Sequence, residues 1–268
     1  MIRSYYGLEY NPFEKNNAIK YIHKTNDFKD ATSRLEYCVS SKGIGLFTGG
    51  VGMGKTYCIR EFAQNLNSNL HRIIYINSST LTVMEFYRAI CFGLGIEPPH
   101  KKIDMFKVIQ EVIIDLYKIK KTPLLLIVDE AQYLKPSMLN DFPLLFNFEY
   151  DSKNYSTLIL LGLPYLASTL KRNNYEPLRQ RIIINYSFNG ITRDETSSYI
   201  DGTLQKAGCR DPIFDKAAIE AIYSYSGGSF RRLNSLLNKC LIVGLTMSRK
   251  TIDTEVVLVS QNEMGGMG

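Results

Sequence analysis

The sequence predicts an α/β protein: a parallel sheet sandwiched by helices, followed by a small C-terminal α-helical domain. Three observations carry this. Short apolar runs bounded by turn residues alternate with amphipathic helical patterns up to about residue 189. Two of these runs, Leu124 to Val128 and Leu158 to Leu161, are uninterrupted, as in strands buried on both faces. From about Gly190 onward the alternation stops and helical periodicity takes over.

Taken in order, Gly43 to Thr48 reads as a strand entering a glycine-rich loop, and Lys55 to Leu66 as the helix after it. Arg72 to Ile76 is the second strand. Thr82 and Glu85 have the spacing of a capping box, and Val83, Phe86, Tyr87, Ile90 and Leu94 recur behind them at helical spacing. Gly95 ends that helix ahead of Pro98 and Pro99. Met105 to Tyr117 is another helix, Leu124 to Val128 the third strand, Leu158 to Leu161 the fourth, and Ile182 to Ile184 a shorter fifth. A boundary falls near Asn189 and Gly190. Three helical stretches follow, Asp194 to Lys206, Asp215 to Tyr225 and Phe230 to Ser248, with Thr192 and Glu195 as a second capping box. Only the last residues look strand-like again. The expected organisation is an N-terminal arm packed on the core (1–42), a core (43–189), a helical lid (190–263) and a flexible tail (264–268).

Composition narrows the function classes. The 268 residues are 45% hydrophobic and 22% charged, ordinary for a globular chain. The net charge of +6 fits either a solvated basic surface or, if clustered, a phosphate-rich partner. Five cysteines with no CxxC pair argue against a disulfide framework or a zinc site and suit a reducing compartment. Met1 to Glu9 has no signal pattern, and no apolar run approaches the ~20 residues that cross a bilayer. A soluble cytoplasmic protein is expected.

The chemistry begins at Gly49-Gly50-Val51-Gly52-Met53-Gly54-Lys55-Thr56, which satisfies the phosphate-loop spacing and lies between a strand and a helix. Glycines let the backbone wrap a phosphate with its N–H groups inward, and the following helix offers its positive end. Lys55 supplies charge to the β and γ phosphates of ATP, Thr56 a hydroxyl for Mg²⁺, and Tyr57 follows on the same helix. Leu124 to Val128 ends in Asp129-Glu130. Asp129 is expected to hold Mg²⁺, largely through water, and Glu130 to activate the attacking water. The competing role for Asp129, a cap for the next helix, is disfavoured by the phosphate loop upstream. Two arginine clusters lie further on, Leu178-Arg179-Gln180-Arg181-Ile182 and Gly228-Ser229-Phe230-Arg231-Arg232. Each suits a γ-phosphate, although such a cluster taken alone is more often surface charge.

Together these residues resemble AAA+ ATPases of the ExeA-like type and the related transposition regulators of the TnsC, TniB and MuB kind. Tyr5-Tyr6-Gly7-Leu8, Asn11-Pro12-Phe13, Asp129-Glu130-Ala131-Gln132, Leu161-Gly162-Leu163-Pro164, and the LRQRI and GGSFRR stretches carry the likeness. The resemblance implies that Arg181, or less directly Arg179, is an arginine finger for a neighbouring subunit's ATP. It makes Arg231 the lid's γ-phosphate sensor. The polar sensor usual at the end of the fourth strand is missing, since Leu163 stands there. Rings or helical filaments with ATP at each junction are implied. So are duplex DNA bound with little sequence preference and a transposase partner; the basic charge, the lack of a membrane segment and the end of the chain after the lid favour this regulator. The alternatives are a helicase-loader or initiator-like ATPase, and an ExeA-like secretion or signalling ATPase that binds protein only. DNA contacts are expected from Asn77 to Thr80, notably Ser79 and Thr80, and from His100 to Lys102, notably Lys101 and Lys102. Ordinary solvated charge is the other reading of those lysines, and Lys118, Lys120 and Lys121 are a weaker alternative. Tyr5, Tyr6 and Phe13 either lie over the adenine or pack the N-terminal arm.

Overall fold

The computed structural model describes residues 1–14, 24–78, 80–149, 153–209 and 211–265. In chain order the first elements are α1 (Ile2–Tyr6), α2 (Asn26–Ser41), β1 (Ile44–Gly49), α3 (Lys55–Asn65), β2 (Arg72–Asn77), α4 (Val83–Leu94) and α5 (Lys102–Lys118). Then come β3 (Leu124–Asp129), a 3-10 turn at Ala131–Tyr133, α6 (Pro136–Leu145), β4 (Ser156–Gly162) and α7 (Pro164–Leu170). A second 3-10 turn at Asn173–Tyr175 precedes α8 (Glu176–Arg179) and β5 (Ile182–Phe188). The last helices are α9 (Arg193–Lys206), α10 (Lys216–Ser226), α11 (Phe230–Thr246) and α12 (Thr254–Gly265). The chain divides into a sheet unit, Asp30–Gly50 with Lys55–Phe188, and a helical unit, Met1–Lys29, Val51–Gly54 and Asn189–Gly268.

In the sheet unit five parallel strands run in the order β2-β3-β4-β1-β5. The three inner strands, β1, β3 and β4, are buried at every position, which explains their unbroken apolar sequences. The outer strands β2 and β5 alternate between covered and exposed positions instead. Each sheet face has its own layer. Leu124, Leu126, Val128, Leu158 and Leu160 join one core with Phe86, Ile90, Ile109, Ile113 and Phe142 of α4, α5 and α6. On the other face, Cys38 of α2 approaches Gly45 so closely that a Cβ there would lie 3.0 Å from its Sγ. Parallel direction puts the carboxyl ends of β1, β3 and β4 on one edge, and β4 lies between the other two. That edge of an open parallel sheet is where ligands collect.

The fifth strand runs to Phe188, well past Ile184, because its second half alternates between buried and exposed residues rather than forming one apolar run. Both capping boxes form as expected, at Thr82 with Glu85 and at Thr192 with Glu195.

In the helical unit, α9 to α12 share one core with Tyr6, Leu8 and Phe13. Met1–Lys29 therefore clusters with the helical residues, while Asp30–Ser41 of α2 belongs to the sheet unit, so the arm expected at 1–42 is divided. The strand-like run near the end is a correction: Val256 to Val259 lies in α12. Asp253 Oδ1 accepts the Val256 N–H at 3.0 Å, and Val256, Val257 and Ser260 bury one face. An N-terminal cap and helical burial outweigh the β preference of the valines. The tail expected at 264–268 begins inside that helix, with Met264 and Gly265, and its remainder lies outside the described residues.

Candidate functional site

The sheet unit holds both ends of the phosphate loop. Gly49 closes β1, where a Cβ would lie 2.8 Å from Phe188 Cβ on β5. Lys55 opens α3 and is buried, with Nζ donating to the carbonyls of Gly49 at 2.7 Å and Gly50 at 2.8 Å. The first-turn N–H groups of α3 have no partner within their own helix and can face an anion.

Next along that edge stands Asp129, 3% exposed. A carboxylate this buried needs hydrogen-bond donors. Its Oδ2 accepts from Thr56 Oγ1 at 2.9 Å and from the Tyr75 hydroxyl at 2.6 Å, and its Oδ1 accepts the Glu130 N–H at 2.8 Å. Burial of the hydroxyl end, then the bond to Asp129, push the Tyr75 phenol well above its ordinary range. Glu130 follows in a left-handed conformation, φ 54° and ψ 36°. For a non-glycine residue this costs about 1–3 kcal/mol, and its surroundings must hold it. Buried Ser78 does part of that, its Oγ lying 2.8 Å from the Asp129 carbonyl and 3.0 Å from that of Glu130. Gln132 Nε2 donates to Glu130 Oε2 at 2.6 Å.

Thr56 and Asp129 bring a hydroxyl and a carboxylate together, a hard-oxygen pair that fits Mg²⁺. Among the described residues no cluster of three or more histidine, cysteine or acidic side chains forms a metal site. A magnesium ion held at this pair would take its other ligands from phosphate and water, the usual habit of that ion.

The arginines separate by what they touch. Arg179 is committed within its own unit, NH1 donating to Lys171 O at 2.8 Å and NH2 lying 4.0 Å from Glu176. Arg181 sits in the turn before β5 and is partly exposed. The end of β4 carries Gly162 and Leu163, so no polar side chain comes from the strand there.

The middle of the loop, Val51–Gly54, clusters with the helical unit. Ser229, the N-cap of α11, donates its hydroxyl to the Val51 carbonyl at 3.1 Å. Gly52 has φ +78°, and a Cβ there would fall 2.5 Å from Ser229 Oγ and 2.7 Å from Arg231 Cβ. Arg231 thus stands directly against the loop, whereas Arg232 packs over the Tyr225 ring at 4.8 Å. Gly190, at the expected boundary, is pressed as closely: a Cβ there would lie 2.2 Å from Gly228 O and 2.6 Å from Met53 Sδ. Asp27 caps this turn by accepting the N–H groups of Asn189 and Gly190.

Tyr6 and Phe13 are core residues of the helical unit, and the Tyr6 hydroxyl donates to Arg249 O at 3.0 Å. Tyr5 packs edge-on against Tyr6, with Lys250 Nζ 3.9 Å from its ring centre. The packing role of this aromatic group is thus what these contacts display. Of the expected DNA contacts, Ser79 lies outside the described residues, Thr80 and Lys101 are exposed, and Lys101 is the N-cap of α5. Lys102 pairs with Asp141 at 2.5 Å and lies 5.3 Å from the Tyr87 ring centre. Ser78, expected within the DNA-contacting segment, is instead buried against the Asp129 and Glu130 carbonyls, and Tyr75, Gln132 and Ser229 carry no expected role from the sequence. The polar end of an otherwise apolar strand and the capping serine of GGSFRR were the available signals.

Comparison with known proteins agrees with this geometry. A family model described as "AAA domain" matches residues 37–170. General secretion pathway protein A of Aeromonas hydrophila is 30% identical over 99% of this chain and 49% of its own length, so the chain spans about half of that relative. Among solved structures, Cdc6p from Pyrobaculum aerophilum aligns with a TM-score of 0.68 at 18% identity, over 97% of this chain and 70% of that one. Drosophila ORC bound to DNA aligns with a TM-score of 0.65 at 16% identity, over 91% of this chain and 63% of that one. At these identities the two structures bear on the fold alone.

Gly52 generates a prediction. Gly52→Ala adds a methyl group where φ is positive and Ser229 and Arg231 already stand. Affinity for a nucleoside triphosphate is expected to fall about tenfold or more, with the far-ultraviolet circular dichroism unchanged. Isothermal titration with ATP checks this.

Proposed function

Because the chain belongs to the AAA-domain family of P-loop ATPases, we propose that it binds ATP with magnesium and hydrolyses it to drive a change in a macromolecular partner. One observation carries this reading above the others: Thr56 of the phosphate loop and Asp129 at the end of β3 share a hydrogen bond, with Glu130 next in the chain. Lys55 and the loop N–H groups bind and orient the phosphates. Thr56 and Asp129 hold the ion, which when bound neutralises charge on the phosphate oxygens. Glu130 takes the proton of the attacking water. Arg231, set against Gly52, addresses the γ-phosphate in its own subunit. Arg181, in the turn before β5, acts toward a neighbouring subunit in a ring or filament.

For the partner, the comparisons favour an ExeA-like or initiator-like ATPase over a regulator of transposition: a secretion protein matches along nearly the whole chain, and the Cdc6p and ORC structures share its fold. No relative described above supports a transposase partner. Duplex DNA remains a proposed ligand, supported by the net charge of +6; the Drosophila ORC structure that shares its fold is itself bound to DNA. Among the described residues no helix is long and apolar enough to cross a membrane.

Three outcomes are expected. Lys55→Ala loses nucleotide affinity, whereas Glu130→Gln retains it and loses roughly 10²-fold or more of steady-state phosphate release. Normal turnover by Glu130→Gln would reject the assignment of the base. Arg181→Ala loses turnover of the assembled protein by roughly 10³-fold, and mixing it with Lys55→Ala subunits restores part of it, since each supplies what the other lacks. An inactive mixture would count against action between subunits. Finally, duplex DNA is bound in an ATP-dependent, salt-sensitive way with little sequence preference, and Lys101→Ala lowers the log–log salt slope by about one unit. Fluorescence anisotropy across a salt series decides this, and absent binding leaves the protein-only, ExeA-like reading.

A further inference from the structure

The polar group expected at the end of β4 comes from elsewhere in the sheet unit. Gln132, in the 3-10 turn after β3, uses both ends of its amide. Its Oε1 accepts the N–H of Leu163 at 3.1 Å, and its Nε2 donates to Glu130 Oε2 at 2.6 Å. These bonds fix which way the amide faces. Turned over, it would set an NH₂ against the Leu163 N–H and an oxygen against the carboxylate, losing both bonds. The surroundings are shaped for it: a Cβ on Gly162 would lie 2.7 Å from Gln132 Oε1, so the glycine leaves the space that the amide oxygen fills. Leu163 is the N-cap of α7 and has no side-chain cap, so the amide oxygen also satisfies an N–H at the start of that helix.

We infer that Gln132 is a positioning residue for Glu130, tying its carboxylate to the β4–α7 junction. The inference rests on the ATPase reading above. Glu130 is held at its backbone in a left-handed turn, and at its side chain by the hydrogen bond from Gln132. With Oε2 engaged, Oε1 is the oxygen left to receive a proton from water. A shift of the strand end where Leu163 stands would move the amide, and with it the carboxylate. In this way the strand end can act on the base without a polar side chain of its own.

The test compares Gln132→Met, which keeps the length and loses both hydrogen bonds, with Gln132→Glu, which places a second carboxylate beside Glu130. The 268-residue chain is assayed for ATP affinity, for kcat and KM of phosphate release and for thermal midpoint. Gln132→Met is expected to lose about ten- to a hundredfold in kcat with ATP affinity within about twofold of the parent. Gln132→Glu, whose carboxylate cannot donate to Glu130 or keep the amide's place, is expected to lose kcat at least as far, again with ATP affinity held. A lowered thermal midpoint with unchanged kcat would mean a purely structural role and overturn the inference. So would parent-like kinetics in both variants. A parent protein that releases no phosphate under any condition is a separate result: the ATPase reading then fails, and the role of Gln132 falls with it.

Discussion

A carboxylate buried at the end of an apolar strand must be surrounded by donors, and the arrangement of the site follows from meeting that demand at Asp129. Thr56 and Tyr75 supply hydroxyls to one oxygen, and the Glu130 N–H reaches the other. The donors come from the helix after the phosphate loop, from the neighbouring strand β2 and from the next residue along. Satisfying this one group therefore sets the register of β2 on β3, where Asn77 stands opposite Asp129, and the position of the first turn of α3. Left unpaired, such a group would cost several kcal/mol. The same contacts hold together Thr56 and Asp129, the pair proposed to hold the ion, so stability of the fold and readiness of the proposed site share a cause.

The phosphate loop shows a different economy of space. Its flanks are fixed by the sheet unit, through Gly49 against Phe188 and through Lys55 bonded to the carbonyls of Gly49 and Gly50. Its middle residues cluster with the helical unit, where Ser229 holds the Val51 carbonyl and Arg231 stands against Gly52. A loop built this way needs glycine for two separate reasons. At Gly52 the backbone is left-handed and the neighbours leave no room for a Cβ; at Gly49 only the second reason applies.

Much of the fold was legible because its signals are local. An unbroken apolar run such as Leu124 to Val128 has few alternatives to a buried parallel strand, and a threonine three residues before a glutamate caps a helix whatever surrounds it. The reading failed where local preference was weak or opposed. The valines of α12 favour a strand in isolation, and burial against the helical core decided otherwise. The second half of β5 has an edge strand's alternation, which a search for continuous apolar residues overlooks.

The site divides along the same line. Residues joined by short spacing, Gly49 to Thr56 and Asp129 with Glu130, were determined by the sequence itself, because a loop that wraps a phosphate and an acidic pair at a strand end are each made within a few consecutive residues. Tertiary structure alone decided which side chains complete them. Tyr75 reaches Asp129 across 54 positions of sequence, and Ser229 reaches Val51 across 178. It also decided that Lys102 spends its charge on Asp141, that Arg179 bonds within its own unit, and that Gln132 meets the N–H of Leu163. Hydrogen bonds and ion pairs act over about 3 Å, and sequence spacing says nothing about which distant residues the packing of helices on a sheet will bring that close.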